Sequence, residues 1–272
     1  MHHSFDTAGF RLEYMDNRID HPVLLETHCH SQYEMIAVAE GDINIILEGK
    51  SYRLMSQQAM IIPPLSYHRV TANEQGTYRR FTVLFDISAV PPVLQPEFSQ
   101  QAPEMVIISI PYLEKLKEIC QVANPEFYEP LAQSLMVQIF YDVMKESKTA
   151  DHTETDTFLQ EALGYIDRHL HEKILLEDLA RHTARSKSSF CHLFEQKMGI
   201  SPKQYILQKK LALADKLISE GVPAITAAAQ VGYENYSNFY RLYRKNTEKN
   251  PTSHQHRNSG TQKGGCCNDQ QH

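Results

Sequence analysis

The chain lacks any hydrophobic run of the roughly 20 residues that a membrane-spanning helix needs. Its start, Met1 to Phe10, has no apolar segment of signal-peptide length. Cysteine is scarce as well: there are five, their spacing follows no framework, and Cys266 and Cys267 are adjacent in a polar tail. These absences predict a cytoplasmic protein with reduced thiols and argue against a disulfide-stapled secreted domain.

Positive charge is in the minority, since 27 Lys and Arg residues face 33 Asp and Glu residues. The deficit lies in the first half, because residues 1–150 hold 11 basic and 19 acidic residues, whereas residues 151–272 hold 16 and 14. Seven basic and two acidic residues occur between Arg185 and Lys216. This local excess suits a module that contacts phosphate groups, although a solvated charged face would explain the charge alone equally well.

Two copies of one small helical unit occupy Ile174 to Arg257, about fifty residues apart, a spacing at which repeats are expected. Each copy reads as a short helix, a turn and a second helix. Apolar residues at 190, 193 and 194, and again at 239, 242 and 243, fall on one face of the second helix. The opposite, polar face is what a helix-turn-helix unit inserts into the major groove.

One pattern runs through both units and the helix between them: Leu179-Ala180, Ser186 to Phe194, Gly199 to Pro202, Tyr205, Leu211 to Ala214, Gly232-Tyr233, Ser237 to Tyr243 and Pro251. It resembles the signature of the AraC family of bacterial transcription regulators and covers roughly the last hundred residues that are expected to be ordered. Lys210 and His192 depart from it, because each stands where the family usually has arginine or an arginine-like residue. Glu248 and His254 depart from it near the end.

The outward faces of the two second helices supply the predicted DNA-binding residues. Arg241 could read guanine bidentately and Asn238 could read adenine, because those side chains match the donor and acceptor pattern of the bases. Solvent exposure without any DNA contact is the alternative for each residue. The predicted set is Lys187, Ser188, Cys191, His192, Tyr236, Ser237, Asn238, Tyr240 and Arg241, with Lys209, Lys210, Arg244 and Lys245 as phosphate contacts or solvated charges.

The first part of the chain, residues 10 to 87, is typical of an all-β sandwich or barrel, because short β-friendly runs at 35–38, 43–47, 59–62 and 81–85 alternate with turn signals. It resembles the cupin barrel that often precedes the double helix-turn-helix module in this family. His28, His30, Glu34 and Gly41 fit the first cupin motif. The second motif fits less well: Pro63 and His68 are in place, but Leu65 stands for the usual glycine and Asn73 falls one position late.

Three interpretations of His28, His30, Glu34 and His68 remain open. They could be structural or solvent-exposed residues, they could line a pocket for a small polar effector, or they could bind a divalent metal as in cupin enzymes. The effector pocket is the favoured interpretation. We therefore predict four effector-binding residues, no metal ligand, no cofactor and no catalytic residue.

Helices are predicted at residues 111–123 and 125–146, after a proline-rich crossover at 88–103. The broad apolar band of the second helix packs either on the barrel or against a second copy of the chain. A further amphipathic helix, residues 157–171, opens the DNA-binding part. The predicted fold is α+β: a cupin-like effector-binding domain at 1–100, a helical dimerisation and linker segment at 101–150, an all-α double helix-turn-helix domain at 151–258 and a disordered tail at 259–272.

These features together predict a sequence-specific, effector-responsive transcription regulator, an activator by resemblance, that reads two successive major grooves. The expected partners are operator DNA, a small-molecule effector such as a sugar, a second copy of the chain and RNA polymerase, with no membrane. Two alternatives are a metal-dependent cupin enzyme with an appended DNA-binding module, and a scaffold whose helical repeats no longer touch DNA.

Overall fold

A computed structural model describes residues 2–6, 10–19, 23–72, 76–96, 104–107, 110–121, 125–146, 148–149, 156–247 and 250–251. The predicted α+β class is confirmed: strands dominate the N-terminal half, residues 2–149, and the C-terminal half, residues 156–251, is helical. The predicted tail at 259–272, and Glu248, His254 and Asn73, lie outside the described residues. None of the described helices is long and apolar enough to cross a membrane.

The strands of the N-terminal half form two antiparallel sheets. The larger sheet has the order β1-β2-β9-β4-β7-β10-β11, and the smaller sheet has the order β3-β8-β5-β6. The strands are β1 His2–Asp6, β2 Phe10–Ile19, β3 Val23–His28, β4 Tyr33–Glu40, β5 Asp42–Leu47, β6 Lys50–Met55, β7 Gln58–Ile62, β8 His68–Ala72, β9 Gly76–Phe85, β10 Glu104–Ile107 and β11 Lys148–Thr149.

Strand β4 is buried on both faces, which explains its continuous apolar sequence Met35 to Val38. Ile36 and Val38 belong to the apolar cluster that also contains residues of β5 and β8 of the smaller sheet. Met35 and Ala37 belong to a second cluster, which the following helices complete. The larger sheet is therefore covered on one side by the smaller sheet and on the other by helices.

Helices α1, Ile110–Cys120, and α2, Pro125–Glu146, cover that second side. The predicted apolar band of α2 divides: Leu135, Ile139 and Phe140 are buried against the sheet, whereas Leu131 and Val137 are 43% and 40% exposed. Both helices predicted in this segment, 111–123 and 125–146, are observed. The segment also contains strand β10, which was not predicted and which pairs with β7.

The C-terminal half consists of α3 Thr157–Arg168, α4 Leu176–His182, α5 Lys187–Met198, α6 Pro202–Ser219, α7 Ala224–Gln230 and α8 Tyr236–Thr247. Ser186 and Ser201 cap α5 and α6 through side-chain oxygens that accept backbone N–H groups, and Pro202 occupies the first turn of α6. The two predicted helix–turn–helix units are α4–α5 and α7–α8, each with its own apolar cluster. Helix α6 joins them.

Candidate functional site

The four residues predicted to bind an effector come from three strands and one loop. His28 ends β3, and it lies opposite His68, which begins β8 in the smaller sheet. Glu34 lies on β4 of the larger sheet, and His30 lies in the loop between β3 and β4. The fold brings all four together, because their potential ligand atoms lie within 4.8 Å of one another.

Glu34 is the centre of this group. Its Oε2 lies 2.9 Å from Nε2 of His30, 2.8 Å from Nε2 of His68 and 3.5 Å from Nε2 of His28. Nε2 of His28 and Nε2 of His68 are themselves 3.0 Å apart. Glu34 and His68 are fully buried, whereas the side chains of His28 and His30 are 38% and 20% exposed. Access to the group is therefore from the side of His28 and His30.

Backbone carbonyls fix the tautomers of two of the imidazoles. Nδ1 of His30 lies 2.8 Å from the carbonyl oxygen of Gln32, and Nδ1 of His68 lies 3.0 Å from that of Ser66. A carbonyl oxygen can only accept, so each Nδ1 carries the proton. Nε2 of each ring then faces the carboxylate of Glu34: it donates to the carboxylate when it also carries a proton, and in a neutral ring it presents a lone pair there. In the neutral state, the Nε2 lone pairs and the carboxylate oxygen of Glu34 therefore face one another. A cation or additional protons between them would stabilise this arrangement.

The carboxyl group of Glu34 is held in its charged form. Burial alone would raise its pKa, but hydrogen bonds with His28, His30 and His68 outweigh burial and place the pKa well below its usual value. Its other oxygen, Oε1, is buried without a hydrogen-bond partner among the described protein groups. A buried charged oxygen without a partner is costly, so this atom has capacity to bind a ligand.

The donor set fits a divalent transition-metal ion. Three imidazole nitrogens and one carboxylate are ligands that suit Zn, Fe, Ni or Mn. A metal-binding histidine ordinarily donates its second ring N–H to a carbonyl or carboxylate, and His30 and His68 do this through Gln32 and Ser66. Cation binding is thus the interpretation that agrees best with the tautomers, although small-effector binding was favoured from the sequence.

Leu65 explains how the imperfect second cupin motif is accommodated. Its φ is +62°, in the left-handed region that favours glycine, the residue usual at this position. Its N–H donates to the carbonyl oxygen of His30 at 2.8 Å. Leu65 therefore adopts the conformation of the missing glycine and ties the loop before β8 to the loop that carries His30.

The first predicted DNA-reading surface lies on α5. Lys187, Ser188 and His192 are exposed, as their positions predicted, and Lys187 pairs with Glu177 at 2.7 Å. Cys191 is half-buried and packs against the apolar cluster of the first unit, and its contact with DNA stays a prediction. Its position one turn before buried residues of α5 places it at the edge of the exposed face.

The second reading surface lies on α8. Ser237, Asn238 and Arg241 are exposed, and Arg241 donates to Oδ1 of Asn238 at 3.1 Å. Tyr236 and Tyr240 are half-buried, and Tyr236 packs against the apolar cluster of the second unit. The two residues predicted to read bases, Asn238 and Arg241, thus form one hydrogen-bonded pair on the exposed face.

Two predicted phosphate contacts are wrong. Lys209 is 4% exposed and pairs with Glu48 of the N-terminal half and with Asp167, each at 3.0 Å. Lys210 is 6% exposed and its Nζ donates to three backbone carbonyl oxygens. Burial determines both roles, because α6 packs between the two helical units and the N-terminal half. Arg244 and Lys245 are exposed, in agreement with their prediction as phosphate contacts or solvated charges.

Sequence reasoning missed the contacts between the two halves. Ser31 donates to Oδ2 of Asp215 at 2.6 Å, and Tyr205 donates to Oε2 of Glu48 at 2.5 Å. These pairs are 184 and 157 residues apart in sequence. The sequence evidence for these contacts was limited to polar residues on α6 to which the helix-turn-helix pattern assigns no role.

Two family models match the chain and together span both halves. The model of the AraC-like ligand binding domain matches residues 14–163, which is more than half of the chain, and a helix-turn-helix domain model matches residues 179–257. The chain belongs to the AraC family of transcription regulators. This assignment excludes the alternative of a metal-dependent cupin enzyme, because the family regulates transcription and does not catalyse a reaction.

Similar proteins include the probable transcriptional regulator LumQ of Photobacterium leiognathi, which is 26% identical over 261 residues that cover 92% of this chain and 97% of LumQ. The arabinose operon regulatory protein of Escherichia coli (strain K12) is 29% identical over 128 residues, covering 46% of this chain and 44% of that protein. Among solved structures, apo ToxT of Vibrio cholerae is 11% identical with a TM-score of 0.46, covering 91% of this chain and 97% of the ToxT chain.

Proposed function

We propose that this protein regulates transcription by binding a specific operator through α5 and α8 in two successive major grooves, and that an effector bound at His28, His30, Glu34 and His68 controls this activity. The observation that carries the DNA-binding part is that Phe190 of α5 and Phe239 of α8 are fully buried while the polar faces of the same helices stay exposed. Such a face is free to enter a major groove.

The effector part rests on the group of three imidazoles around the carboxylate of Glu34. A divalent transition-metal ion, held by His28, His30, Glu34 and His68, would supply positive charge at the point where their lone pairs converge. A small polar metabolite such as a sugar is the second candidate for the same site. The arabinose operon regulatory protein, by its name a regulator of a sugar operon, supports that candidate and a role in carbohydrate or other metabolite genes.

The remaining parts of the proposal concern assembly and location. The exposed side chains Leu131, Val137 and Tyr141 of α2 support a homodimer formed through this helix. Sedimentation of the wild type and of a Val137→Lys variant tests the dimer, because a lysine charge on this face of α2 is expected to dissociate it.

We also propose that the chain divides into domains at residues 100, 150 and 258. We further propose that the protein is cytoplasmic, acts as an activator and contacts RNA polymerase.

Selection of random duplexes by the full chain tests DNA binding. We expect one enriched sequence with two half-sites about 10 bp apart, which is one helical turn. Because phosphate contacts release counterions, the affinity for the selected duplex must fall steeply between about 50 and 200 mM salt. A protein that enriches no sequence, and whose duplex binding does not depend on salt, would instead support the scaffold alternative.

Metal analysis and thermal shift test the effector site on one sample. A stoichiometric ion that is lost in a His28→Ala, Glu34→Ala double variant would identify a cation as the ligand. A metal-free protein that is stabilised by one class of sugar or other polar metabolite, with the shift lost in Glu34→Ala, would identify a metabolite. If neither a cation nor a metabolite binds in a Glu34-dependent way, the effector part of the proposal is wrong.

A further inference from the structure

Two of the four residues of the candidate site are direct chain neighbours of contacts between the two halves. His30 precedes Ser31, which bonds to α6, and His68 follows Tyr67, which packs against α6. A shift of either histidine is therefore passed through one peptide unit to a residue that touches the C-terminal half.

The first connection runs through Asp215. Ser31 donates its hydroxyl proton to Oδ2 of Asp215 at 2.6 Å, and the hydroxyl of Tyr243 donates to the other carboxylate oxygen. Asp215 is 6% exposed and Tyr243 is fully buried on the inner face of α8. The loop of His30 thus reaches the second reading helix through two hydrogen bonds that share one buried carboxylate.

The second connection runs through Tyr67 and Glu48. The ring of Tyr67 is fully buried in the apolar cluster of the first helical unit, edge-on to the ring of Tyr205 with centroids 5.4 Å apart. The backbone N–H of Tyr67 donates to Oε1 of Glu48 at 2.8 Å. The carboxylate of Glu48 also accepts from the hydroxyl of Tyr205 and from Lys209.

The docked surface of α6 is separate from the predicted reading faces. Ser188 and His192 of α5, and Asn238 and Arg241 of α8, are exposed while the two halves are in contact. Docking therefore leaves these side chains accessible to DNA and at the same time restrains α6, the helix that joins the two reading units.

We propose that cation binding at His28, His30, Glu34 and His68 is coupled to docking of the N-terminal half on α6 through Ser31 and Tyr67. This inference rests on the proposed function, because it requires a ligand at that site. A cation bound at the same time by Nε2 of His30, Nε2 of His68 and the carboxylate of Glu34 holds the two loops in the arrangement that places Ser31 and Tyr67 on α6. Coupling is reciprocal, so docking must increase the affinity for the cation by the same factor that the cation stabilises docking.

Titration of the full-length, metal-free chain with Co²⁺ tests this coupling. The variants are Ser31→Ala, which removes the bond to Asp215 from the N-terminal half, and Tyr205→Phe, which removes the bond to Glu48 from the C-terminal half. We expect each to weaken Co²⁺ binding about fivefold or more, the lower end of typical coupling between sites. Ser56→Ala is the matched control, because the Ser56 hydroxyl is exposed and bonds within the N-terminal half to Gly41.

The Tyr205→Phe variant separates coupling from a local effect. Ser31 adjoins His30, so its loss could disturb the site directly, whereas Tyr205 belongs to the other half of the chain. Wild-type Co²⁺ affinity in Tyr205→Phe would overturn the coupling, whatever Ser31→Ala does, and would leave the proposed ligand site intact. Failure of the wild type to bind Co²⁺ in a Glu34-dependent way would overturn both the coupling and the cation site.

Amide hydrogen exchange gives a second readout that does not depend on affinity. Co²⁺ is expected to slow exchange in α6 of the wild type, because docking shields and restrains that helix. The same amount of bound Co²⁺ should slow it less in Ser31→Ala. Equal slowing in the two proteins would show that site occupancy is not transmitted through Ser31 and would overturn the proposal.

Discussion

The buried side chain of Lys210 connects the two helical units through hydrogen bonds. Its Nζ donates to the carbonyl oxygens of Leu170, Glu172 and Val231 at 3.0, 2.6 and 2.6 Å. Burial lowers the pKa of its amine to about 8, against the opposing charge of Glu172. Lys210, which the sequence suggested as a phosphate contact, therefore donates hydrogen bonds to backbone carbonyl groups where the first helical unit meets the second.

Replacement of Lys210 by methionine is expected to lower the free energy of unfolding by about 3 kcal/mol or more, because three backbone carbonyl oxygens, two of them in buried hydrogen bonds, lose their donor. Urea unfolding of the full chain measures this. Lys203→Met on the same helix is the matched control, since Lys203 is exposed, and it should change stability by less than about 0.5 kcal/mol. Equal effects of the two substitutions would contradict the role given to Lys210.

Arg241 provides the residue-scale test of DNA reading. Arg241→Ala should cost about 1–3 kcal/mol of binding free energy and relax base preference at one operator position, as expected for an arginine that reads a base edge. Competition binding with single-base variants of the selected duplex measures both effects. Lys245→Ala is the control, because loss of a phosphate contact weakens all duplexes about equally. Unchanged base preference in Arg241→Ala would refute the assignment.

Acidification tests the charges of the candidate site. The pKa of the Glu34 carboxyl lies well below its usual range, so acidification from pH 8 to pH 5 leaves this carboxylate charged. Protons compete with a metal ion for imidazole nitrogens, so Co²⁺ bound by imidazole ligands should have a lower affinity at pH 5 than at pH 8. Calorimetric titration at several pH values measures it. A constant affinity between pH 8 and 5 would exclude ligation by His28, His30 and His68.

The residues of this site were predictable because their spacing in the chain matches the cupin motifs that the sequence resembles. His28, His30 and Glu34 surround one strand-to-strand connection, and His68 begins the strand that pairs with β3. The roles of Lys209 and Lys210 were not predictable in the same way. Helical periodicity assigns residues to a face, but it does not say which neighbour covers that face, and here the neighbour lies far away in sequence.

At the scale of elements, the turn between α7 and α8 is constrained by a close approach of backbone to backbone. Gly232 has a φ of +77°, and a Cβ atom there would lie 2.7 Å from the carbonyl carbon of Glu172. Backbone cannot move aside as a flexible side chain can. The second unit therefore packs on the loop after α3 at a distance that only glycine allows.

Gly232→Ala should destabilise the protein by clearly more than the cost of a left-handed alanine, which is about 1–2 kcal/mol. Gly221→Ala is the matched control, because Gly221 also has a positive φ, +95°, but a Cβ atom there has open space around it. Thermal unfolding of the two variants compares them. If Gly232→Ala costs no more than Gly221→Ala, the close approach to Glu172 does not constrain the turn.

The strands predicted at residues 35–38, 43–47, 59–62 and 81–85 all lie within observed strands. Short apolar runs bounded by turn signals are a good indicator of buried strands. Strand β10 was missed, since its pairing with β7 is set by tertiary contact rather than by its own short sequence. The apolar band of α2 was correctly predicted, but its division between sheet and solvent depends on the angle at which the helix lies on the sheet.

At the scale of the whole molecule, the two halves form a continuous structure in which Tyr67 of one half completes the apolar cluster of the other. The candidate site lies beside this junction, and a cavity of about 220 Å³ lined by His30, Gln208 and Asp215 separates it from α6. A ligand in the N-terminal half can therefore influence the reading helices without touching DNA, provided that it changes the junction.

Affinity for the selected duplex, with and without saturating Co²⁺, is the direct test of control by the candidate site. Co²⁺ is expected to raise the affinity of the wild type by about fivefold or more, because a docked α6 holds the reading helices in a fixed relation. Glu34→Ala should bind the duplex as the metal-free wild type does and should not respond to Co²⁺. An equal affinity of the wild type with and without bound Co²⁺ would contradict the claim that the site controls DNA binding.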